Sequence, residues 1–224
     1  MLTPLGEEPP MNRLARLGAV LVAGGTMALT ASPAGAHPAA AAPGDDAGWV
    51  PIEELRPGYY DPIDISACGT TVTMTTGDVA DIEGRETPLP DGGLLFEVRG
   101  DVTVDLTRHD TGQVIDELDV SGPYTEQVSA DGTQIVGAYH APSILFPYPE
   151  LGPVDAAAFE AAGIPDLAYV EKGVVTFDLV IDPDTGEAVT EEADVDGRII
   201  DLCTWFDGDR GQAHGHAYAY ADHR

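Results

Sequence analysis

Apolar and polar residues alternate along most of the middle and end of the chain, a pattern typical of half-buried β-strands. The clearest run is residues 174–181, where Val175, Phe177, Leu179 and Ile181 fall on one face. The same pattern predicts further strands at residues 68–76, 79–85, 94–99, 101–106, 124–128, 134–140, 187–192 and 198–205. The chain thus carries about eight or nine short strands.

Turn residues separate these strands at regular intervals. Thr111-Gly112, Asp131-Gly132 and Asp196-Gly197 each lie between two apolar runs, and a fourth predicted turn spans residues 182–186. Many short strands joined by tight turns predict an all-β, antiparallel meander that forms a barrel or a sandwich. The spacing does not choose between the two.

One segment departs from the β pattern. Residues 153–163 are rich in alanine, begin with a proline and end with Gly163 as a C-cap before Pro165, which predicts a short helix. The helix belongs to a long insertion at residues 141–173. Such an insertion is either a binding lid or a plug over one end of the sheet, and the plug is the favoured interpretation.

The first 36 residues have the pattern of a signal peptide. Arg13 and Arg16 precede an apolar run at residues 17–31, and Ala34-Gly35-Ala36 supplies the small residues read by signal peptidase. Since Glu7 and Glu8 are unfavourable in such a leader, Met11 is an alternative start. The sequence therefore predicts a secreted, extracellular protein with no stable membrane anchor after cleavage.

The remaining chain divides by composition into three parts. Residues 37–62 are predicted to be a disordered or irregular leader, residues 63–206 the β domain, and residues 207–224 a mobile tail rich in His and Asp.

Net charge restricts the partners. The chain has 39 acidic and 10 basic residues and a formal charge of −29. This charge argues against nucleic acid and anionic lipid as partners, and it does not identify any other partner. Solubility is the favoured explanation, and a cation-buffering surface is an alternative.

The two cysteines, Cys68 and Cys203, are predicted to form one disulfide, since an exported chain meets oxidising conditions. Because Cys68 opens the first confident strand and Cys203 lies near the end of the last, the bridge should bring those strands together.

Catalytic signatures are absent from the sequence: it has no G-x-S-x-G, no H-E-x-x-H and no phosphate-binding glycine loop. No catalytic residue and no cofactor is predicted, and the isolated His109 and His140 are expected on the surface. Acidic doublets at predicted turns or in the tail favour turn formation over calcium binding. They are Asp182/Asp184, Asp194/Asp196 and Asp207/Asp209.

Two weaker signals remain. His214, His216 and His223 are candidate zinc or copper ligands, although a His-rich terminus is more often a solvated tail. Four aromatic residues beside prolines could line a ligand mouth or simply pack beneath loops. They are Tyr59, Tyr60, Phe146 and Tyr148.

A secretory leader, the segment Ala67-Cys68-Gly69, strands joined by Asp-Gly turns and the closing Gly197-Arg198-Ile-Ile-Asp201-Leu-Cys203 together resemble a group of uncharacterised secreted actinobacterial β-proteins. The resemblance covers about residues 64–206. It implies an exported two-cysteine β domain and carries over no activity and no site residue.

These features favour a non-catalytic domain that binds an unknown ligand or a cell-surface partner. The alternative is a small-molecule isomerase or cyclase in a closed barrel, by analogy of fold alone.

Overall fold

Ten strands pair into one sheet within residues 48–148 and 151–208, the part of the chain that the computed structural model describes. The strands are β1 (Val50–Pro51), β2 (Ile63–Ala67), β3 (Thr70–Pro88), β4 (Leu94–Arg108), β5 (Val114–Asp119), β6 (Tyr124–Val128), β7 (Gln134–His140), β8 (Ser143–Leu145), β9 (Ala168–Ile181) and β10 (Ala188–Asp201). Three helices accompany them: α1 (Ile52–Leu55), α2 (Pro153–Ala162) and α3 (Cys203–Asp207). Every strand pair is antiparallel.

The sheet forks along its longest strands. Its main path runs β1-β3-β4-β6-β7-β9-β10, while β2 pairs with β3, β5 with β4 and β8 with β9 beside that path. The first part of β3 and the last part of β4 form one branch with β2 and β5. The other parts of the same strands join β1 and β6.

Glycines make the bend between the branches possible. The β3–β4 register shifts between Thr76 and Ala80. Gly100 lies in this bend with φ +121°, and a Cβ there would stand 2.0 Å from the carbonyl oxygen of Asp81. Only glycine tolerates that approach, so the bend depends on this residue type.

Two core clusters of the curled sheet flank its fork. One lies between the β2–β5 branch and α3 and includes Val72, Leu106, Leu202 and Phe206, all fully buried. The other lies beneath α1 and includes Ile52 and Phe96, with Tyr59 and Tyr60 packed against it. The site described below lies between these clusters.

The predicted all-β fold is confirmed, and the described strands do not close into a barrel. β1 and β10 end the main path without pairing to each other, so the arrangement is that of a sandwich. The predicted strands at residues 124–128 and 134–140 match β6 and β7.

Several predicted strand boundaries are wrong, and most of these errors occur at glycines. Glycines taken as strand ends instead lie within long bent strands, so residues 79–85 continue β3, and residues 94–99 and 101–106 are both β4. The predicted turn at Asp196-Gly197 lies inside β10, where Gly197 faces Gly173 of β9 next to a register shift. The predicted strand at residues 198–205 ends at Asp201, and Trp205 belongs to α3.

The expectation of an irregular leader over residues 37–62 is wrong for residues 50–55. β1 pairs with β3 there, and Ile52 of α1 is completely buried. Just before β1, the Trp49 ring lies 4.6 Å from the Arg85 guanidinium and 4.2 Å from that of Arg99. These cation–π contacts attach the segment to the outside of the sheet.

The predicted helix is confirmed as α2, which begins at Pro153 and is capped by Gly163 in the left-handed conformation. Phe159 of α2 stacks on Phe177 of β9, with ring centroids 5.6 Å apart. The helix covers the inner face of β9 and β10 and contributes no side chain to the cavity described below. The position of α2 therefore fits the predicted plug and not a binding lid.

Cys68 and Cys203 form the predicted disulfide, with their Cα atoms 5.3 Å apart. Cys68 lies in the turn between β2 and β3, and Cys203 opens α3 directly after β10. The bridge therefore joins the β2–β3 turn to the end of the last strand. Arg108 adds a second tie at this point, since it pairs with Asp207 at 2.6 Å.

Removing the bridge should lower stability substantially. The disulfide spans 135 residues, and closing a loop of that size in the unfolded chain corresponds to about 4–5 kcal/mol on the chain-entropy description. We expect Cys68→Ser/Cys203→Ser to lose that amount in urea denaturation. The oxidised wild-type protein is the reference, and the wild-type protein under reductant should match the double variant. A loss below about 1 kcal/mol would contradict this account.

Candidate functional site

A cavity of about 80 Å³ lies in the fork of the sheet, between the two core clusters. A buried water needs roughly 10–15 Å³ of such space and a cavity that encloses benzene about 150 Å³, so this cavity has room for a group of a few heavy atoms or for the inner part of a ring compound. Its walls are mainly valines, isoleucines and tyrosines. The lining residues are Tyr59, Tyr60, Asp61, Met74, Thr75, Thr76, Ile82, Val98, Val102, Val104, Val120, Gly122, Tyr124, Tyr139, Ser143 and Ile144.

The loop between α1 and β2 supplies one side of the cavity. Gly58 turns the chain with φ +80°, and Tyr59 and Tyr60 follow with their rings edge to face at 5.2 Å. The Thr76 hydroxyl donates to the Tyr60 carbonyl, and the Ile82 amide donates to the Tyr60 hydroxyl at 3.1 Å. The loop is thereby fastened to both ends of the bend in β3.

The opposite wall comes from the connection that follows β5. Gly122 donates its amide to the Pro142 carbonyl at 2.7 Å. A Cβ at Gly122 would stand 1.9 Å from the His140 carbonyl oxygen, so no larger residue fits without moving this wall.

Behind the cavity, a buried carboxyl group is held by phenols. Tyr124 donates to Glu126 at 2.5 Å, and Glu126 is only 5% exposed. Tyr139 lies directly opposite Tyr124 across β6 and β7, and their ring centroids are 4.5 Å apart. Tyr124 gives its only proton to Glu126.

Burial sets the protonation of this group. Desolvation raises the pKa of Tyr124 and Tyr139 and keeps both phenols protonated. Desolvation also raises the pKa of Glu126, which the hydrogen bond from Tyr124 opposes. The phenols at the cavity are thus hydrogen-bond donors and not bases.

A second buried acidic pair lies under α2. Asp155 of α2 is 2% exposed, accepts the Tyr148 amide and is hydrogen-bonded to the Glu191 carboxyl group of β10. Burial, followed by the adjacent Asp155 charge, raises the pKa of Glu191 to about 8. One shared proton therefore joins helix and sheet at neutral pH.

The four predicted mouth residues do not form one site. Tyr59 and Tyr60 line the cavity together, whereas Phe146 and Tyr148 do not. Phe146 is buried in the first core cluster, and Tyr148 packs beside it with ring centroids 5.2 Å apart. Phe146 and Tyr148 therefore have the packing role that was the alternative to a ligand mouth. Tyr124, Tyr139 and Glu126 escaped sequence reasoning because they follow the ordinary alternation of buried strand residues.

The other candidates stay apart from the cavity. His109 and His140 are exposed, and the Asp182 side chain accepts the amides of Asp184 and Thr185 in a turn. Asp194 and Asp196, by contrast, are exposed residues of β10 and form no turn. Asp207 pairs with Arg108. His214, His216, His223 and Asp209 lie outside the described residues.

One group of carboxylates converges closely enough to hold a cation, apart from a group that includes the disulfide sulfurs. Asp105, Asp116 and Glu117 place ligand oxygens within 4.8 Å of one another. Glu117 accepts the Asp78 amide and the Thr103 hydroxyl, and Asp105 accepts the Glu117 amide. These bonds give the cluster a role in holding the β4–β5 bulge.

Comparison with known proteins gives no relative for this fold or site. No protein-family model, no curated protein and no solved structure matches the chain. Within residues 48–148 and 151–208, no helix is long and apolar enough to cross a membrane.

Tyr124→Phe should leave Glu126 buried without its hydrogen-bond donor. An unsatisfied buried polar group costs about 1–3 kcal/mol, so urea denaturation should show a loss of that order. Since the folded pKa of Glu126 rises further, the loss should grow as the pH rises and the carboxyl group must ionise in the core. Adding Glu126→Gln should remove this pH dependence, and its persistence would contradict the assignment.

Glu191→Gln should change how stability depends on pH. The folded pKa of Glu191, about 8, lies above that of an exposed glutamate. The folded state therefore binds this proton more tightly than the unfolded state, and its stabilisation is complete in acid and lost as the pH rises through 8. Besides Asp155, the Tyr139 phenol and the Tyr148 backbone amide are polar groups that neighbouring segments bring near this pair.

In the Glu191→Gln variant, the decline in melting temperature between pH 5 and 9 should be smaller than in wild type. Glu192→Gln, the exposed neighbour on the same strand, is the matched control and should follow wild type. Equal slopes for Glu191→Gln and wild type would exclude the shared proton.

Proposed function

We propose that this protein is an exported β domain that binds a small molecule in the cavity between its two core clusters, without transforming it. One observation carries the proposal: a mainly apolar cavity lies in the fork of the sheet, between two clusters of buried side chains. Pockets with mostly apolar walls and a few placed polar groups are the usual form of small-ligand sites.

The proposal of export rests on other features. The leader pattern of residues 1–36 and the disulfide both suit a protein that works outside the cell. We extend the proposal with the sequence resemblance to secreted actinobacterial β-proteins, which implies the same setting. A role at the cell surface is part of the same proposal.

An isomerase or cyclase is the second candidate. The phenols with raised pKa at the cavity favour it, since such groups can polarise a substrate. Proton-transfer chemistry also needs a base inside the site. Among the described residues, the only acidic or imidazole side chain in the lining is that of Asp61, which is exposed. Binding is therefore the better supported proposal.

Filling the cavity should abolish binding and leave the fold intact. Val104 lines the cavity and is 7% exposed, so Val104→Phe places a ring in the open space. Val180→Phe adds the same ring at an exposed position of β9 and is the control. Acetophenone is the probe, followed by saturation-transfer NMR, and near-ultraviolet circular dichroism reports the fold.

We expect the wild type and Val180→Phe to bind acetophenone and Val104→Phe to lose binding by at least tenfold. Native mass spectrometry of protein from its own culture medium should in addition show a retained small molecule. Equal binding by Val104→Phe and wild type would place the probe elsewhere and overturn this site.

A further inference from the structure

The four phenols of the cavity differ in what their protons already do. Tyr124 donates its only proton to Glu126 behind the cavity wall, so it can offer a ligand only ring surface. Tyr139 packs its ring against Tyr124, with ring centroids 4.5 Å apart.

Tyr59 and Tyr60 keep their protons available. The Tyr60 oxygen accepts the Ile82 amide, which leaves its O–H free to donate. Among the described residues no hydrogen bond engages the Tyr59 hydroxyl, although this side chain packs into the second core cluster. Desolvation raises the pKa of both phenols, so each remains a donor throughout the neutral range. The Tyr60 phenol, whose ring centroid lies 5.2 Å from that of Tyr59, raises the pKa of Tyr59 further.

Charge restricts the ligand further. Within residues 48–148 and 151–208, no Lys, Arg or His lines the cavity. An anion would therefore enter without a counter-charge, in a protein whose formal charge is −29, and would lie near the buried Glu126. A cation would contact aromatic rings in the cavity. The only carboxylate in the described part of the lining is that of Asp61, which is exposed.

We infer that the cavity takes a neutral, largely apolar molecule that carries a carbonyl oxygen, and that the hydroxyls of Tyr59 and Tyr60 both donate to this oxygen. A carbonyl oxygen has two lone pairs and suits two adjacent donors. The aliphatic and aromatic walls hold the rest of the molecule. The inference rests on the proposed function, because it assumes that the cavity is the binding site.

Four ring compounds of similar size separate the ligand classes. Acetophenone carries the carbonyl group, α-methylstyrene replaces its oxygen by CH₂, benzoate is the anion and phenyltrimethylammonium the cation. Their affinities are measured by NMR titration on the full, oxidised protein. Tyr59→Phe and Tyr60→Phe remove one donor each and keep the rings. Tyr169→Phe removes a hydroxyl that donates to the Asp119 carbonyl outside the cavity, and it is the matched control.

We expect wild type and Tyr169→Phe to prefer acetophenone over α-methylstyrene by roughly fivefold to tenfold for each donated bond. Each cavity variant should lose one such factor, and Tyr59→Phe/Tyr60→Phe should bind the two compounds equally. Benzoate and phenyltrimethylammonium should bind more weakly than either.

Two different failures are distinguishable. If α-methylstyrene binds as tightly as acetophenone, or if either ion binds best, the carbonyl assignment is overturned while the cavity stands as a site. If none of the four compounds binds, the proposed function fails with it.

Discussion

The pairing of β3 with β4 is the constraint on which the rest of the molecule depends. These two strands are hydrogen-bonded from Val72 opposite Arg108 to Pro88 opposite Leu94. The β3–β4 pair is longer than either branch of the sheet is wide. It therefore bends and contributes strands to both branches. Gly100 and Gly77 allow the bend: a Cβ at Gly77 would stand 2.5 Å from the Thr103 hydroxyl oxygen. The space inside the bend is the cavity, so the site follows from the topology.

The pair β9–β10 repeats this device at the other end of the sheet. Gly173 and Gly197 face each other, and a Cβ on either would stand within about 2 Å of a carbonyl oxygen across the pair. One part of β9 pairs with β7 and the other with β8. The two bent ribbons curl the sheet around its core. The disulfide then holds the β2–β3 turn against the end of β10, where backbone pairing does not close the sheet.

Local pattern was sufficient for the elements whose identity is set by alternation. The face of Val175, Phe177, Leu179 and Ile181 is buried as predicted, and β6 and β7 begin and end where their turn residues indicate. The pattern failed at glycines, because the same residue ends one strand and bends another, and only the pairing partner decides which. β2 was missed although Ile63, Ile65 and Ala67 alternate, since it follows directly after a proline-rich loop.

The candidate site was predictable only in part, because some of its residues look like ordinary core residues in the sequence. Tyr59 and Tyr60 were recognisable as aromatic residues of a loop. Tyr124 and Tyr139 have the sequence pattern of core residues, and their approach depends on the β6–β7 register, in which they are directly opposed. Their ring centroids are 4.5 Å apart. Such a contact depends on the register of the β6–β7 hairpin, which the alternation of apolar and polar residues alone does not specify.

The scarcity of cations explains how the interior treats its acidic groups. The chain has 10 basic residues against 39 acidic ones, and several of its arginines pair with glutamates on the surfaces of the strands, such as Arg85 with Glu97 and Arg99 with Glu83. Burial instead raises the pKa of the buried carboxyl groups, so that they hold protons more tightly than exposed carboxyl groups do. Glu126 accepts a hydrogen bond from Tyr124, and Glu191 shares a proton with Asp155. A cavity in such an interior selects its ligand by shape and hydrogen bonding more than by charge.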